Sequence, residues 1–395
     1  MAICLGVMAA VPTGTASAHP HGARSPATPA TTTPATTPVR GFTPGRVLFD
    51  IGIHHSGTAN AAISAACTGC LATFTNSVVD SGKTDSYTMV GSDPSIAGAG
   101  TTQVQTELIP LLMVLPNGNK FDPTKADSCD PGAKAVDRVV SSPVFASQSW
   151  TWGGTAIGTG QYLDAFQRAN FWKYTQPSGI SPNYAVSLGT VKVLKKIKVK
   201  VPSADAAEAS GGSCGNGKSG AADINWLDGY LQGTILPSLT ASGQLGPSTF
   251  PIFLVHNFIE YQGSPVTGCC ILGYHNASGN QTYALADYDN SGFFIGASDV
   301  APLSHEVGEW MDDPYTTNPT RAWGHVGQVA TCQSDLEVGD PLSGTTFTDT
   351  IGGFSYHPQE LAFFSWFFRQ SPSLGVNGWY SDQGTFKTGA GSTCK

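Results

Sequence analysis

Apolar residues recur with two spacings along this chain, and the two spacings predict different elements. Continuous or alternating apolar runs that are rich in β-branched and aromatic residues are typical of strands. Such runs cover residues 47–55, 108–115, 191–201, 250–258, 269–276 and 282–289. Helical spacing of apolar residues is found over 158–174, 223–239, 298–314 and 359–368. The helices interleave with the strands without a regular strand–helix–strand rhythm, so we predict an α+β fold.

The polar and flexible segments outline the domain organisation. An apolar run at 3–12 followed by Ala16, Ser17 and Ala18 has the pattern of a secretory signal with its cleavage site. Thr, Pro and Ala dominate the segment that follows, and such a composition does not pack into a core. We predict the following organisation: a signal peptide at 1–18, a linker at 19–45 and one large domain at 46–395, which divides at most into subdomains 46–249 and 250–395. The Gly- and Ser-rich stretch 203–220 is expected to be a flexible loop.

Composition narrows the class of protein. Charged residues make up 12% of the 395 residues, and the net charge is −8, whereas an average soluble protein has about 25% charged residues. The negative balance repels phosphate and argues against a nucleic-acid partner. No segment after the signal is apolar over the length of a membrane span, so we expect a secreted protein that does not cross a membrane.

Cysteine usage agrees with export. The chain has nine cysteines, and removal of Cys4 with the predicted signal leaves eight. An even set in an exported protein indicates disulfides, up to four here, although spacing alone does not determine the pairing.

The segment 298–314 places its ionisable residues on one side of a predicted helix, with Ser298 or Asp299 as the expected cap. At about 100° per residue, one arc carries apolar side chains and the opposite arc carries ionisable ones. The apolar arc consists of Val300, Leu303, Val307, Trp310 and Met311, and the ionisable arc of His305, Glu306, Glu309, Asp312 and Asp313. His305 and Glu309 have the spacing by which HExxH helices bind zinc, with Glu in place of the second His. The alternative is a solvent-facing amphipathic helix.

A divalent ion on this face would make Glu306 the candidate general base. Glu306 follows the first ligand directly and can reach a water whose pKa the metal lowers. Catalytic zinc takes three protein ligands, so a third is expected downstream. Glu337 is the preferred candidate, because it lies in a turn bounded by Gly and Pro with Asp340 three residues on, which matches a ligand and its orienting carboxylate. His325 and His357 rank below Glu337, as substitute ligands or as hydrogen-bond donors to an oxyanion.

The motifs HEVGEWMDDP at 305–314 and LEVGDP at 336–341 resemble those of secreted proteins of the exordium/phosphate-induced family and their bacterial zincin-like relatives. GCCILGYHN at 268–276, followed by TYALADYD, is similar to the Cys-bearing strand of these proteins. The resemblance covers residues 250–345. It implies a zincin-like, loop-rich, disulfide-bonded fold whose mixed sheet carries an active-site helix. The residue roles that it implies are metal ligation by His305, Glu309 and Glu337, general base catalysis by Glu306, and orientation of the ligands by Asp313 and Asp340.

A second cation motif is incomplete. Asp287, Asp289 and Ser291 occupy positions 1, 3 and 5 of a calcium-type loop, with Gly292 at position 6. Position 12 is Ser298 instead of the closing Glu, so we expect a polar turn rather than a calcium site.

Two functions are compatible with these features. The first is a secreted zinc-dependent hydrolase, a peptidase that acts on an extracellular peptide or protein. The alternative is a non-catalytic extracellular or cell-wall-associated protein that keeps a structural or vestigial metal site and binds cell-wall carbohydrate. We expect Zn²⁺, although one His and two carboxylates form a harder ligand set than most zinc sites and admit other divalent ions.

Overall fold

The structure is a computed structural model that describes residues 37–45, 47–50, 67, 69–80, 82–214, 217–265, 267–389 and 394. These residues belong to one compact unit, which extends from Thr36 to Lys395. The predicted signal peptide, the first part of the predicted linker and residues 51–55 of the first predicted strand lie outside the described residues.

Most of the described chain is organised in short strands. Their bounds are β1 Arg40–Gly41, β2 Leu48–Asp50, β3 Thr73–Asp80, β4 Lys83–Val90, β5 Thr101–Val114, β6 Lys120–Phe121, β7 Gln148–Trp152, β8 Thr155–Gly160, β9 Ala185–Leu188, β10 Lys192–Val193, β11 Ile197–Lys200, β12 Ala206–Ser210, β13 Lys218–Asp223, β14 Thr249–His256, β15 Phe258–Tyr261, β16 Cys269–Ser278, β17 Gln281–Tyr288, β18 Pro319–Val326, β19 Val329–Asp335, β20 Asp349–Ile351 and β21 Phe354–Tyr356.

The α-helices are fewer and mostly short. They are α1 Ala135–Val140, α2 Tyr162–Asn170, α3 Trp172–Thr175, α4 Ile224–Tyr230, α5 Leu236–Ala241, α6 Ala301–Asp312 and α7 Phe364–Phe367. A π-helical turn, Leu231–Ile235, joins α4 to α5, so that the helix predicted over 223–239 is nearly continuous.

Thirteen of the described strands form one mixed sheet. Its order is β1-β12-β13-β15-β16-β17-β14-β5-β10, with β6, β9 and β11 also paired with β5, and β2 with β16. Strand β14 is parallel to both of its neighbours, β5 and β17, whereas β16 is antiparallel to β15 and β17. The predicted α+β class is therefore confirmed, with a mixed sheet.

Both faces of the sheet are buried at its centre. Along β14, Ile252 and Leu254 pack into a cluster that includes α2 and α6, whereas Phe253 and Val255 pack into one that includes α4 and α5. Because the side chains of a strand alternate between faces, α2 and α6 lie on one face of the sheet and α4 and α5 on the other. This burial explains the continuous apolar run at 250–258.

Three local predictions were wrong. The expected loop 203–220 contains β12 and the first half of β13, because pairing with each other and with β1 and β15 outweighs the low strand preference of its Ala, Ser and Gly residues. Of the expected helix at 359–368, only α7 is helical. Before α7, the backbone N–H groups of Gln359 and Leu361 donate to the side chains of Ser304 and Asp382 instead of forming helical hydrogen bonds. Helix α6 begins after Val300, and neither Ser298 nor Asp299 caps it; the carboxylate of Asp299 accepts a hydrogen bond from the N–H of Val300.

The eight cysteines expected in the mature chain lie in four pairs at disulfide distance. The pairs are Cys67–Cys70, Cys129–Cys214, Cys269–Cys270 and Cys332–Cys394. Among the described residues, no helix has the length and the apolar composition needed to cross a membrane.

Candidate metal centre

Helix α6 is buried on every side, including the side that carries its ionisable residues. Trp310 stacks on Phe250 of β14 with 3.6 Å between the ring centroids, which anchors the apolar arc of the helix on the sheet. On the other arc, His305 and Glu306 are 0% exposed and Glu309 is 1% exposed. The solvent-facing alternative is therefore wrong, and the burial of these polar groups needs a physical explanation.

His305 faces two carboxylates through one ring nitrogen. Its Nε2 lies 3.0 Å from Oε1 of Glu309 and 3.6 Å from Oδ1 of Asp340. Its Nδ1 lies 3.2 Å from Oε1 of Gln359, and the amide nitrogen of Gln359 donates to the carbonyl oxygen of Gly339. Gln359 thus presents an acceptor, which in the neutral ring keeps the proton on Nδ1 and directs the Nε2 lone pair at the carboxylates. Metal-bound histidines have this arrangement.

His275 on β16 presents a second ring nitrogen from the opposite side. Its Nδ1 lies 3.4 Å from Oε2 of Glu306 and 3.7 Å from Oε2 of Glu309. Its Nε2 lies 3.1 Å from the backbone oxygen of Asp313, which can only accept, so Nε2 carries the proton. Burial lowers the pKa of His275 and so favours the neutral imidazole that binds metals.

The ligand atoms converge in two groups that share Glu309. The atoms of His275, Glu309 and Glu337 lie within 4.8 Å of one another, and so do those of His305, Glu309 and Asp340. Among the described residues, Oε2 of Glu337 has no hydrogen-bond partner, although it is buried. Unpartnered buried polar atoms are costly, and a bound cation would remove that cost.

Glu337 and Glu309 have opposite pKa shifts. Burial, and then the charges of neighbouring carboxylates with Glu309 first among them, raise the pKa of Glu337 well above its usual value. Burial also opposes ionisation of Glu309, but His305 and His275, when their rings are protonated, and the N–H of Gly339 hold its pKa below the usual value. Glu309 is thus the carboxylate that the protein keeps ionised, between the two histidines.

Two glycines leave the space that the centre needs. A Cβ on Gly339 would overlap the ring of His305, and a Cβ on Gly273 of β16 would lie 2.9 Å from Cγ of Glu306. Because residues two apart on a strand share a face, Gly273 and His275 both point towards α6. Strand β16 can therefore cross close to Glu306 while it delivers His275.

We expect Gly339→Ala to weaken metal binding by about 10–100-fold, the usual effect of disturbing the support of a ligand. The added methyl group would push the His305 ring out of place. Isothermal titration with Zn²⁺ measures the effect. Gly229→Ala on α4 is the matched control, because a Cβ there meets nothing within 4 Å; an equal loss of affinity in both variants would contradict the proposed role of Gly339.

A short strand from the N-terminal part of the domain covers His305. The ring of Phe49 on β2 stacks on the imidazole with 3.8 Å between centroids and 21° between planes. The side-chain amide of Gln328 bonds the backbone of Phe49 twice: Oε1 accepts from its N–H, and Nε2 donates to its carbonyl oxygen, both at 2.7 Å. An extended piece of chain is thus held directly over a candidate metal ligand.

The structure brings most of the sequence-predicted site residues together, with some roles exchanged. Glu337, which was expected beside His305, lies instead in the group of His275 and Glu309. Asp340, which was expected to orient ligands, itself faces Nε2 of His305. Asp313 holds His275 rather than His305, through its backbone oxygen.

Other predicted residues lie apart from this centre. Nε2 of His325 lies 3.6 Å from Sγ of Cys332, and Nδ1 of His357, whose side chain is 39% exposed, lies 2.6 Å from Oδ2 of Asp299. Asp312 points to Gln167 of α2, away from the metal ligands. Neither His325 nor His357 belongs to the two buried ligand groups.

The incomplete calcium motif has the contacts of a polar turn. The hydroxyl group of Ser291 donates to the carboxylate of Asp289, at 2.8 Å from Oδ2. Oδ1 of Asp287 accepts from the backbone N–H of Phe258 at 3.1 Å, so the two aspartates point to different partners.

His275 is the residue that sequence reasoning missed. It lies within the segment that carries the family resemblance, but a single His in an apolar strand has no metal-binding spacing of its own. Its distance of 30 residues from His305 does not predict contact; only the packing of β16 on α6 does. Comparisons with protein-family models, with curated proteins and with solved structures give no match for this chain.

Proposed function

We propose that this protein is a secreted, zinc-dependent hydrolase of the peptidase class with a zincin-like active-site helix. The observation that carries the proposal is the buried convergence of two histidines and three carboxylates next to Glu306. Imidazole nitrogen and carboxylate oxygen suit zinc and other first-row divalent ions. Such an ion, when bound, supplies Lewis-acid activation of water and of a substrate carbonyl group.

The side chains of the protein have separate tasks in this proposal. Glu306 accepts the proton of the attacking water at its carboxylate and returns it to the amine that leaves when the C–N bond breaks. Gln359 and the backbone oxygen of Asp313 hold the tautomers of His305 and His275. Burial of the whole group excludes bulk water and strengthens each of these interactions.

The segment over His305 supports a peptide as substrate. Phe49 lies there in extended conformation, and its backbone N–H and C=O are both bonded by Gln328. Pairing of both backbone groups with a fixed partner is how proteins hold extended peptides. We therefore propose that Gln328 binds the backbone of a substrate peptide when β2 has moved away.

We expect Phe49→Ala to raise the rate of peptide hydrolysis, by up to about tenfold. A stacked ring pair contributes about 0.5–1.5 kcal/mol, and its loss favours displacement of β2 by substrate by the corresponding factor. The quantity to measure is kcat/KM on a fluorogenic peptide. Phe42→Ala is the control, because Phe42 is also buried but bonds through its backbone to Glu208, on β12; a rise in both variants, or in neither, would argue against a covering role for Phe49.

The burial of the metal ligands beneath β2 favours the second candidate function, the non-catalytic one. All of the ligand side chains are at most 2% exposed, as in a structural metal site. In a non-catalytic extracellular protein that binds cell-wall carbohydrate, the metal would stay bound and β2 would never move away from His305. Under this alternative Phe49→Ala has no hydrolytic activity, although the metal stays bound.

The proposal is tested on protein purified without chelators. We expect bound Zn²⁺ and cleavage of an unfolded protein substrate that is lost with 1,10-phenanthroline and restored by added Zn²⁺. A protein that holds zinc, including the Phe49→Ala variant, and cuts no member of a peptide library supports the non-catalytic alternative. A protein that holds no metal contradicts both.

A further inference from the structure

We infer that this centre binds two divalent ions, with Glu309 as the bridging ligand. The inference rests on the proposed function only in that the same residues bind metal, and it adds a second ion that the helix motif does not predict. Two-metal sites in hydrolases hold their ions about 3.5–4 Å apart, and a carboxylate with one oxygen on each ion spans that separation.

The first argument comes from the two oxygens of Glu309. Oε1 lies 3.0 Å from Nε2 of His305, and Oε2 lies 3.7 Å from Nδ1 of His275. The carboxylate therefore presents a different oxygen to each histidine.

The second argument comes from the tautomers of the histidines. Gln359 keeps the outer proton of His305 on Nδ1, and the backbone oxygen of Asp313 keeps that of His275 on Nε2. The inner nitrogens, Nε2 of His305 and Nδ1 of His275, both face carboxylates, and in the neutral rings that bind metal each directs its lone pair at them. The same feature on two histidines indicates two ions.

The third argument is the number of ligands. His275, Glu309 and Glu337 form one group of three, and His305, Glu309 and Asp340 form the other. Three protein ligands with one open position is the usual set for a catalytic zinc ion. With Glu306, the carboxylates carry four negative charges when ionised, which two divalent ions balance and a single ion does not.

The test counts the ions and their separation directly. The full protein is stripped by dialysis against a chelator and titrated with Mn²⁺, and bound metal is measured together with the electron paramagnetic resonance spectrum. We expect two equivalents and the spectrum of a spin-coupled Mn²⁺ pair. His275→Ala and Asp340→Asn should each bind one equivalent and give an uncoupled spectrum, whereas the control Asp312→Asn should bind two.

A wild-type protein that binds one equivalent with an uncoupled spectrum would overturn the inference. Two equivalents in His275→Ala would overturn it as well, because the second ion would then lie elsewhere. The wild-type spectrum decides the question even where a variant does not fold. If the protein hydrolyses peptides with one bound ion, the proposed function stands and only the second ion is refuted. If it binds two coupled ions and hydrolyses no peptide, the two-ion inference stands and the proposed function is refuted.

Discussion

Glu309→Gln is expected to abolish metal binding at neutral pH. Glu309 belongs to both ligand groups, and Gln would replace its charge with a neutral amide between two histidines. The loss of affinity should exceed the about 10–100-fold that changes to outer residues cost. The assay is thermal unfolding with and without Zn²⁺, because a ligand at 100 times its Kd stabilises the native state by about 2.7 kcal/mol. The wild-type protein should show this rise in Tm, and the variant should not.

The control for this experiment is Asp312→Asn, on the same helix. Asp312 is as buried as Glu309, but its carboxyl group bonds to Gln167 and Asn170 of α2. Burial raises the pKa of Asp312 to about 8, so the group is mostly protonated at pH 7 and Asn resembles it in shape and charge. This variant should keep the Zn²⁺-dependent rise in Tm. A rise that persists in Glu309→Gln would show that the metal binds elsewhere.

Glu306→Gln is expected to remove hydrolytic activity and leave the metal in place. Loss of a positioned general base typically costs about 10²–10⁴-fold in rate. The Gln side chain has nearly the same volume, so Gly273 still leaves room for it. The two measurements are kcat on a peptide substrate and the zinc content of the same preparation.

The combination of the two results is what identifies the base. Normal metal content with kcat reduced at least a hundredfold agrees with the proposed role of Glu306. If kcat and zinc content fall together, Glu306 acts as a ligand rather than as the base. If neither changes, the proposed mechanism is wrong.

The helix that carries the site was predictable because its pattern is local. The ionisable and apolar residues of 298–314 alternate with the period of a helix, and α6 spans Ala301–Asp312. His305, Glu306 and Glu309 lie on one side of it for the same reason. The pattern does not predict whether this side of the helix is exposed or buried, because a charged helix face can contact solvent as well as a buried metal centre.

The rest of the site depends on contacts between distant segments. His275 reaches the centre through the packing of β16 on α6, and Phe49 through the pairing of β2 with β16. Gln359 was predicted to begin a helix, but its side chain instead bonds His305 and Gly339, which keeps its backbone extended. The positions of His275, Phe49 and Gln359 at the centre are determined by tertiary packing, so they cannot be predicted from the spacing of residues within one segment.

The fold was predictable to the level of its class. Runs buried on both faces, such as 250–258, were assigned as strands, because β-branched and aromatic composition distinguishes them. The segment 203–220 was assigned as a loop because Gly, Ser and Ala have low intrinsic preference for strands. In β12 and β13 this preference is outweighed by pairing inside the sheet, since β13 lies between β12 and β15.

The central claim, that α6, β16 and the turn 336–340 together hold divalent metal, is tested most directly by anomalous X-ray diffraction. Data collected at the zinc absorption edge from crystals grown with Zn²⁺ should show peaks about 2–2.2 Å from Nε2 of His305 and from Oε1 of Glu309. A second peak is expected on the side of His275 and Glu337. A well-ordered map with no anomalous peak among these side chains would contradict the account.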